Sequence, residues 1–171
     1  MLTLVLGGAR SGKSRYAEGL IAALPPPWAP PWSYVATGEA HDPEMAERIA
    51  QHRARRGADW RTIEAPRDLA AALGACGDSP VLIDCLTLWL SNLMLGGADI
   101  DAEIARLERA LARTAPVVAV ANEVGLGIVP GNALARRFRD AQGQLNQRFA
   151  QRADRVVLVV AGLPLAMKES R

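Results

Sequence analysis

The sequence contains little cysteine, few aromatic residues and no long apolar run. Its two cysteines, Cys76 and Cys85, form no CxxC pair, so we expect a reduced protein of the cytoplasm. The longest apolar segments, RVVLVVAG and APVVAVAN, are far shorter than a bilayer span, so we expect no stable membrane insertion. A net charge of +2 is too small to indicate a nucleic-acid or membrane partner. The chain starts directly with a strand-like segment, and we expect no leader peptide.

Apolar residues, in contrast, make up 50% of the 171 residues, enough for the core of one ordinary domain over residues 1–171. Five runs rich in Val, Leu and Ile lack the alternation of a half-exposed sheet and predict buried strands: Leu2–Leu6, Ser33–Ala36, Pro80–Asp84, Pro116–Ala121 and Arg155–Ala161. Helical patterns lie between them, over Lys13–Leu24, Pro43–Arg56, Arg67–Leu73, Leu86–Leu95, Ala102–Arg113 and Asn132–Ala153. This alternation predicts an α/β fold with a mainly parallel central sheet, and ligands at the carboxyl ends of its strands.

Two loops are marked by composition. The proline-rich segment PPPWAPPW, residues 25–32, is incompatible with a helix or a central strand, so we expect a stiff surface connector. The segment LGGADID, residues 95–101, predicts a second loop in which Asp101 is the N-cap of the next helix.

A phosphate-binding motif lies close to the start of the chain. The pattern GxxxxGK[ST] is satisfied between a predicted strand and a predicted helix, which is the context that the motif requires. Its members are Gly7, Gly8, Ala9, Arg10, Ser11, Gly12, Lys13 and Ser14. Glycines let backbone N–H groups turn toward phosphate oxygens, Lys13 would bridge the β- and γ-phosphates, and Ser14 would ligate Mg²⁺. We therefore predict a P-loop NTPase-like, RecA-like three-layer fold that binds a nucleotide.

A magnesium site next to a P-loop usually includes an acidic residue from the end of a neighbouring strand. Asp84 in VLIDCLT follows three apolar residues and precedes a helical segment, and its alternative role is that of a helix cap. Glu123, in NEVGLGIVPGN, also lies at the carboxyl end of a predicted strand. It is a candidate base or member of the metal shell, and equally a carboxylate that anchors its loop.

One of the two histidines lies among cations on a predicted helix. His52 comes seven residues after Met45, which places it on the apolar face, and Arg48, Arg55 and Arg56 lie three or four residues from it. Arginines in these positions would hold the anionic group of a phosphorylated imidazole. The alternative is a partly buried packing histidine beside a solvated basic face. His41 is interpreted as a loop residue.

Taken together, the motifs resemble one family. LVLGGARSGKSRYAE, YVATGEAHDPEMAERIAQHRARR, WRTIEAP, VLIDCLTLWLSNL and NEVGLGIVPGNALARRFRDAQGQLNQRFAQRADRVVLVVAG occur in this order and cover nearly the whole chain. They resemble the bifunctional adenosylcobinamide kinase / adenosylcobinamide-phosphate guanylyltransferase of cobalamin biosynthesis.

The resemblance implies two reactions. First, the γ-phosphate of ATP or GTP passes to the hydroxyl of the aminopropanol arm of adenosylcobinamide. GTP then gives its guanylyl group to a histidine, from which adenosylcobinamide phosphate takes it to form adenosylcobinamide-GDP. The resemblance also implies a homo-oligomer, a homotrimer with active sites near the subunit contacts.

The resemblance further implies roles for individual residues. The guanylylated histidine of the family matches His52, which with Lys13 would form the catalytic pair. The metal would be held by Ser14 and Asp84. Beyond the P-loop, the nucleotide-binding residues would be Ala36, Thr37, Gly38, Arg55, Arg56, Glu64 and Asp84.

Two other functions remain open at this point. One is a simple P-loop kinase of a small hydroxylated substrate, in which His52 is structural. The other is a nucleotide-dependent switch or assembly ATPase, although neither a γ-phosphate sensor loop nor an NKxD motif is evident.

Overall fold

A computed structural model describes residues 1–40, 43, 46, 47, 49, 50 and 57–169. Its strands are β1 (Leu2–Gly7), β2 (Trp32–Ala36), β3 (Trp60–Glu64), β4 (Val81–Asp84), β5 (Val117–Asn122), β6 (Arg155–Val160) and β7 (Leu163–Glu169). They form one seven-stranded sheet in the order β3-β2-β4-β5-β1-β6-β7. All neighbours pair in parallel except β6 and β7, which are antiparallel.

Helices cover both faces of this sheet. The helices that lie entirely within the described residues are α1 (Lys13–Ala22), α2 (Leu69–Ala75), α3 (Leu86–Leu95), α4 (Ile100–Ala110) and α5 (Ala133–Arg152). Helix α1 packs on one face, and α2 to α5 contribute their buried residues to the cluster on the other. The predicted α/β, P-loop NTPase-like fold with three layers and a mainly parallel sheet is confirmed. Among the described residues, no helix has both the length and the apolar character needed to cross a membrane.

The core is divided in two by the sheet, because successive side chains of a strand point to opposite faces. Leu4 and Ile83 belong to the larger cluster, which also contains Trp89. Their chain neighbours Val5 and Leu82 belong to the cluster under α1. All five side chains are fully buried. The central strands are thus buried on both faces, which explains why their sequences are continuous apolar runs.

Two strands were absent from the sequence prediction. β3 lies at one edge of the sheet, with Arg61 and Glu64 exposed and Trp60 and Ile63 half-buried. β7 lies at the other edge and is exposed along its whole length. Neither presents a continuous apolar run, so a search for buried strands does not find them.

Two details of the loops also differ from the prediction. Trp32, expected in the connector, is the buried first residue of β2, an interior strand. The N-cap of α4 is Asp99, whose carboxylate accepts from the backbone N–H of Ala102 at 3.0 Å, and Asp101 lies in the first turn. The helix predicted over Pro43–Arg56 falls largely outside the described residues.

Candidate nucleotide-binding site

The P-loop joins β1 to α1 at the carboxyl end of the sheet. Gly12 caps α1 with φ of 94°, in the left-handed region that favours glycine, and this conformation turns the chain into the helix. Lys13 is only 7% exposed, and its Nζ donates to the carbonyl of Gly8 at 3.0 Å. The loop therefore bends around its own lysine at the N-terminus of a helix, the arrangement that binds phosphate.

The loop is packed tightly against the end of β6. A Cβ on Gly7 would lie 2.6 Å from the carbonyl oxygen of Val159 and 2.5 Å from Ser11 Oγ. The carbonyl of Ser11 accepts from the N–H of Gly162, in the β6–β7 turn, at 2.8 Å. Ser11 Oγ is buried and has no hydrogen-bond partner among the described residues. A bound phosphate oxygen could accept a hydrogen bond from it.

This packing predicts a large effect of Gly7→Ala. The added methyl group has no room against the backbone of β6, so we expect the free energy of unfolding to fall by about 1–3 kcal/mol. The measurement is urea unfolding followed by circular dichroism. Gly19→Ala is the control, because Gly19 lies in α1 with open space around it and should gain up to about 1 kcal/mol. Equal stabilities of the two variants would contradict this account of the loop.

Asp84 lies beside the P-loop, as predicted. It ends β4, and its Oδ1 accepts a hydrogen bond from Ser14 Oγ at 3.4 Å. The hydroxyl of Tyr34 donates to Oδ2 at 2.5 Å. Serine and carboxylate oxygens are hard donors that suit Mg²⁺, which usually takes one or two protein ligands and completes its shell with phosphates and water. Among the described residues, no three or more acidic, histidine or cysteine side chains are grouped so that they could hold a metal ion by themselves.

Thr37 fixes the backbone that carries Asp84. Its fully buried hydroxyl donates to the carbonyl of Cys85 at 2.7 Å and accepts from the N–H of Cys85 at 2.8 Å. The side-chain amide of Asn92 donates to the carbonyls of Thr37 and Pro66 at 2.8 and 3.0 Å. These bonds hold the ends of β2 and β4 and the segment after β3 together.

The thiol of Cys85 is buried next to Asp84. Burial, and secondarily the charge of Asp84, raise the pKa of this thiol to about 11. It is therefore protonated at neutral pH, and the reactive form of a cysteine is the thiolate.

The strand register sets the distance between the predicted nucleotide-binding residues. Ala36 pairs with both Asp84 and Glu64, so the ends of β2, β3 and β4 lie side by side. β3 is four strands from β1, which separates Glu64 from Gly7 by about 19 Å across the sheet. The structure therefore places Asp84 beside the P-loop and Glu64 at the carboxyl end of the outermost strand, β3. Ala36, Thr37 and Gly38 lie between them, at the carboxyl end of β2.

The second predicted centre falls outside the described residues. His52, Arg55 and Arg56 all lie in the 51–56 segment, and His41 also lies outside the described part. Their roles stay predictions from the sequence.

Glu123 is engaged in holding its own loop. Its Oε1 accepts from the N–H of Gly125 at 2.6 Å, and its backbone N–H donates to the carbonyl of Gly7 at 3.1 Å. This arrangement favours the loop-anchoring role over that of a base or metal ligand.

Sequence reasoning did not find Tyr34, Asn92 or Gly162. The signal available for Tyr34 was a phenol in a mostly apolar strand, two residues before its end. Asn92 was similarly a single amide within an apolar helix. Gly162 has φ of 81°, but it belongs to a turn between two strands of which only one was predicted.

A lysine-bearing glycine loop and an acidic strand end that meet at the carboxyl edge of a parallel sheet define a P-loop nucleotide-binding protein. Comparison with known sequences narrows this class, because residues 3–167 match the family described as "Cobinamide kinase / cobinamide phosphate guanyltransferase". The chain belongs to this family.

Individual relatives agree with that assignment. The chain is 47% identical to the bifunctional adenosylcobalamin biosynthesis protein CobP of Pseudomonas aeruginosa, over 98% of each chain. It is 46% identical to the bifunctional adenosylcobalamin biosynthesis protein CobU of Salmonella typhimurium, over 98% of this chain and all of the relative. The corresponding identity with CobU of Escherichia coli is 42%.

A solved structure shares the fold. The crystal structure of the flagellar accessory protein FlaH from Methanocaldococcus jannaschii aligns with a TM-score of 0.55 at 13% identity. The alignment covers 99% of this chain and 78% of FlaH. At this identity the likeness concerns the fold alone.

Proposed function

We propose that this protein phosphorylates adenosylcobinamide with ATP or GTP and then transfers GMP from GTP, through a guanylyl-histidine, to give adenosylcobinamide-GDP. The observation that carries the proposal is the assembled group of Lys13, Ser14 and Asp84 in a chain of this family. Both reactions break a phosphoanhydride bond, and both need the charge on the departing phosphates to be stabilised.

In the first reaction the P-loop positions the nucleotide. Its backbone N–H groups and the N-terminus of α1 would hold the phosphate oxygens, while Lys13 neutralises charge at the β- and γ-phosphates. The hydroxyl oxygen of the corrinoid arm attacks the γ-phosphorus and releases its proton to water, the bond between the γ-phosphorus and the bridging β-phosphate oxygen breaks, and the nucleoside diphosphate leaves. Ser14 and Asp84 would hold Mg²⁺, which supplies charge neutralisation on the phosphates when it is bound.

In the second reaction His52 is the nucleophile. Its imidazole nitrogen attacks the α-phosphorus of GTP, and pyrophosphate leaves. An oxygen of adenosylcobinamide phosphate then attacks the same phosphorus, which breaks the P–N bond and restores the imidazole. Arg55, Arg56 and Glu64, with Ala36 and Gly38, would bind the guanylyl nucleotide. Thr37, predicted as a further contact, is fully buried and bonded to the backbone of Cys85, so it would act by holding the neighbouring segments in place. The separation of Glu64 from Gly7 along one edge supports a nucleotide that extends from the P-loop toward β3.

The proposal is tested with labelled nucleotides. With α-labelled GTP we expect the protein itself to acquire a label that survives alkali and is lost in acid, as a phosphoramidate does. With γ-labelled ATP we expect label in the corrinoid. Transfer from ATP without any label from GTP would favour a simple kinase. Nucleotide hydrolysis without transfer to the corrinoid would favour a switch or assembly ATPase.

We also propose that the protein is a homo-oligomer, a homotrimer by the family resemblance. The β6–β7 hairpin supports this, since Val160, Leu163, Leu165 and Met167 are between 58% and 73% exposed. Monomeric proteins rarely leave large contiguous apolar patches open. A cavity of about 340 Å³, lined in part by Leu126, Leu158 and Met167, adjoins the hairpin.

Light scattering measures the assembly directly. We expect a mass near three times 18.3 kDa, and a clear decrease in the double variant Leu163→Lys, Leu165→Lys. Leu95→Lys is the control, because Leu95 is 67% exposed at the end of α3 and lies outside the hairpin. A wild-type mass of 18.3 kDa at micromolar concentration would contradict the proposal.

We further propose that residues 1–171 act as one domain in the cytoplasm and that no nucleic acid takes part. The two buried free cysteines and the net charge of +2 support this proposal.

A further inference from the structure

Both oxygens of the Asp84 carboxylate accept hydrogen bonds. Ser14 Oγ donates to Oδ1 at 3.4 Å, and the phenol of Tyr34 donates to Oδ2 at 2.5 Å. Tyr34 and Asp84 are 50 residues apart in the chain and meet because β2 and β4 are neighbours in the sheet. An aspartate by itself rotates broadly about its last side-chain bond, so two donors on opposite oxygens fix the plane of the group.

Tyr34 is a buried core residue. It is 2% exposed, lies within the cluster under α1, and meets Trp60 edge-on with ring centroids 6.0 Å apart. Its own strand is fixed to β4 in register, and Thr37 holds the next peptide group beyond Asp84. The ring packing and the strand register therefore place the phenol oxygen within hydrogen-bonding distance of the Asp84 carboxylate.

We propose that Tyr34 is a positioning residue for the metal–nucleotide complex: its hydroxyl holds the Asp84 carboxylate in the orientation in which, together with Ser14, it would bind magnesium. This inference rests on the proposed role of Asp84 as a metal ligand. Side chains that orient a metal ligand change metal affinity by about tenfold to a hundredfold when they are removed.

Tyr34→Phe tests the proposal because it removes the hydroxyl and keeps the ring against Trp60. The probe is Mn²⁺, titrated by electron paramagnetic resonance into the protein with β,γ-imido-ATP. We expect the affinity for Mn²⁺ to fall about tenfold or more, and binding of the analogue in EDTA to stay within about twofold. For the kinase reaction we expect a lower kcat at limiting Mg²⁺ that excess Mg²⁺ restores.

Tyr16→Phe is the matched control. Tyr16 is the other tyrosine of the chain and is half-buried against the same apolar cluster. Loss of its hydroxyl should leave the Mn²⁺ affinity unchanged. Equal Mn²⁺ affinities of Tyr34→Phe and wild type would overturn the proposal. So would a parallel fall of metal-dependent and metal-free binding together with a lower melting temperature, since that result describes a purely structural tyrosine.

Asp84→Asn separates this inference from the proposed function. If Asp84→Asn binds Mn²⁺ as wild type does, the metal role of Asp84 fails, and the role of Tyr34 fails with it. If Asp84→Asn loses Mn²⁺ affinity and Tyr34→Phe does not, the metal site stands and the positioning role alone is wrong.

Discussion

Replacing Lys13 with methionine is expected to lower the rate of phosphoryl transfer by about 10²–10³-fold, the usual cost of removing one preorganised group that stabilises a charged transition state. Methionine keeps an unbranched apolar stem in a position that is only 7% exposed, so the fold should survive. The same loop would hold the pyrophosphate that leaves during guanylylation, so we expect labelling by α-labelled GTP to slow as well. Single-turnover assays with γ-labelled ATP and α-labelled GTP measure the two steps separately.

Arg15→Met is the matched control for this experiment. Arg15 is an exposed cation two residues further along α1, and its replacement makes the same change of net charge. We expect both rates to stay within about twofold of wild type, because an exposed charge is screened by solvent. If Lys13→Met kept the wild-type rate of guanylylation and lost only the kinase reaction, the two steps would use different phosphate sites.

Local sequence was enough to place the P-loop between β1 and α1 and Asp84 beside it, whereas the binding roles of these residues stay predictions. A P-loop is a continuous segment in which glycine spacing, a preceding strand and a following helix all lie within about a dozen residues. Asp84 is likewise marked by the apolar run before it, and the structure brings it to Ser14. The five central strands were found for the same reason, since burial on both faces leaves a run of Val, Leu and Ile.

Contacts between residues that are distant in the chain could not be predicted from the sequence, because they depend on which strands become neighbours in the sheet. Tyr34 reaches Asp84 only because β2 lies beside β4, and the order of strands in a sheet is not written in either segment. The two edge strands, β3 and β7, were not predicted for a different reason. β3 and β7 are stabilised by pairing along one side more than by burial, and β7 even contains Pro164, which a central strand excludes. Its turn uses Ala161 and Gly162, both with positive φ, instead of the more recognisable Asn-Gly pair.

Replacing His52 with alanine is expected to abolish the covalent guanylyl label completely, because in the proposed reaction the imidazole nitrogen forms the P–N bond and alanine offers no nucleophile in its place. Transfer of the γ-phosphate from ATP to adenosylcobinamide should stay within about twofold, since that step uses the P-loop and needs no covalent intermediate. Denaturing gels after incubation with α-labelled GTP measure the first effect, and labelled corrinoid measures the second.

The chain contains its own control for this experiment, because it has only one other histidine. His41→Ala removes an imidazole eleven residues earlier in the same segment, and we expect it to acquire the label normally. A label that persists in His52→Ala, or that disappears in His41→Ala, would remove His52 from the mechanism. Loss of label together with loss of γ-phosphate transfer in His52→Ala would show that the two reactions share more than the phosphate loop. In that case the helix predicted over Pro43–Arg56 would contribute to the kinase centre as well.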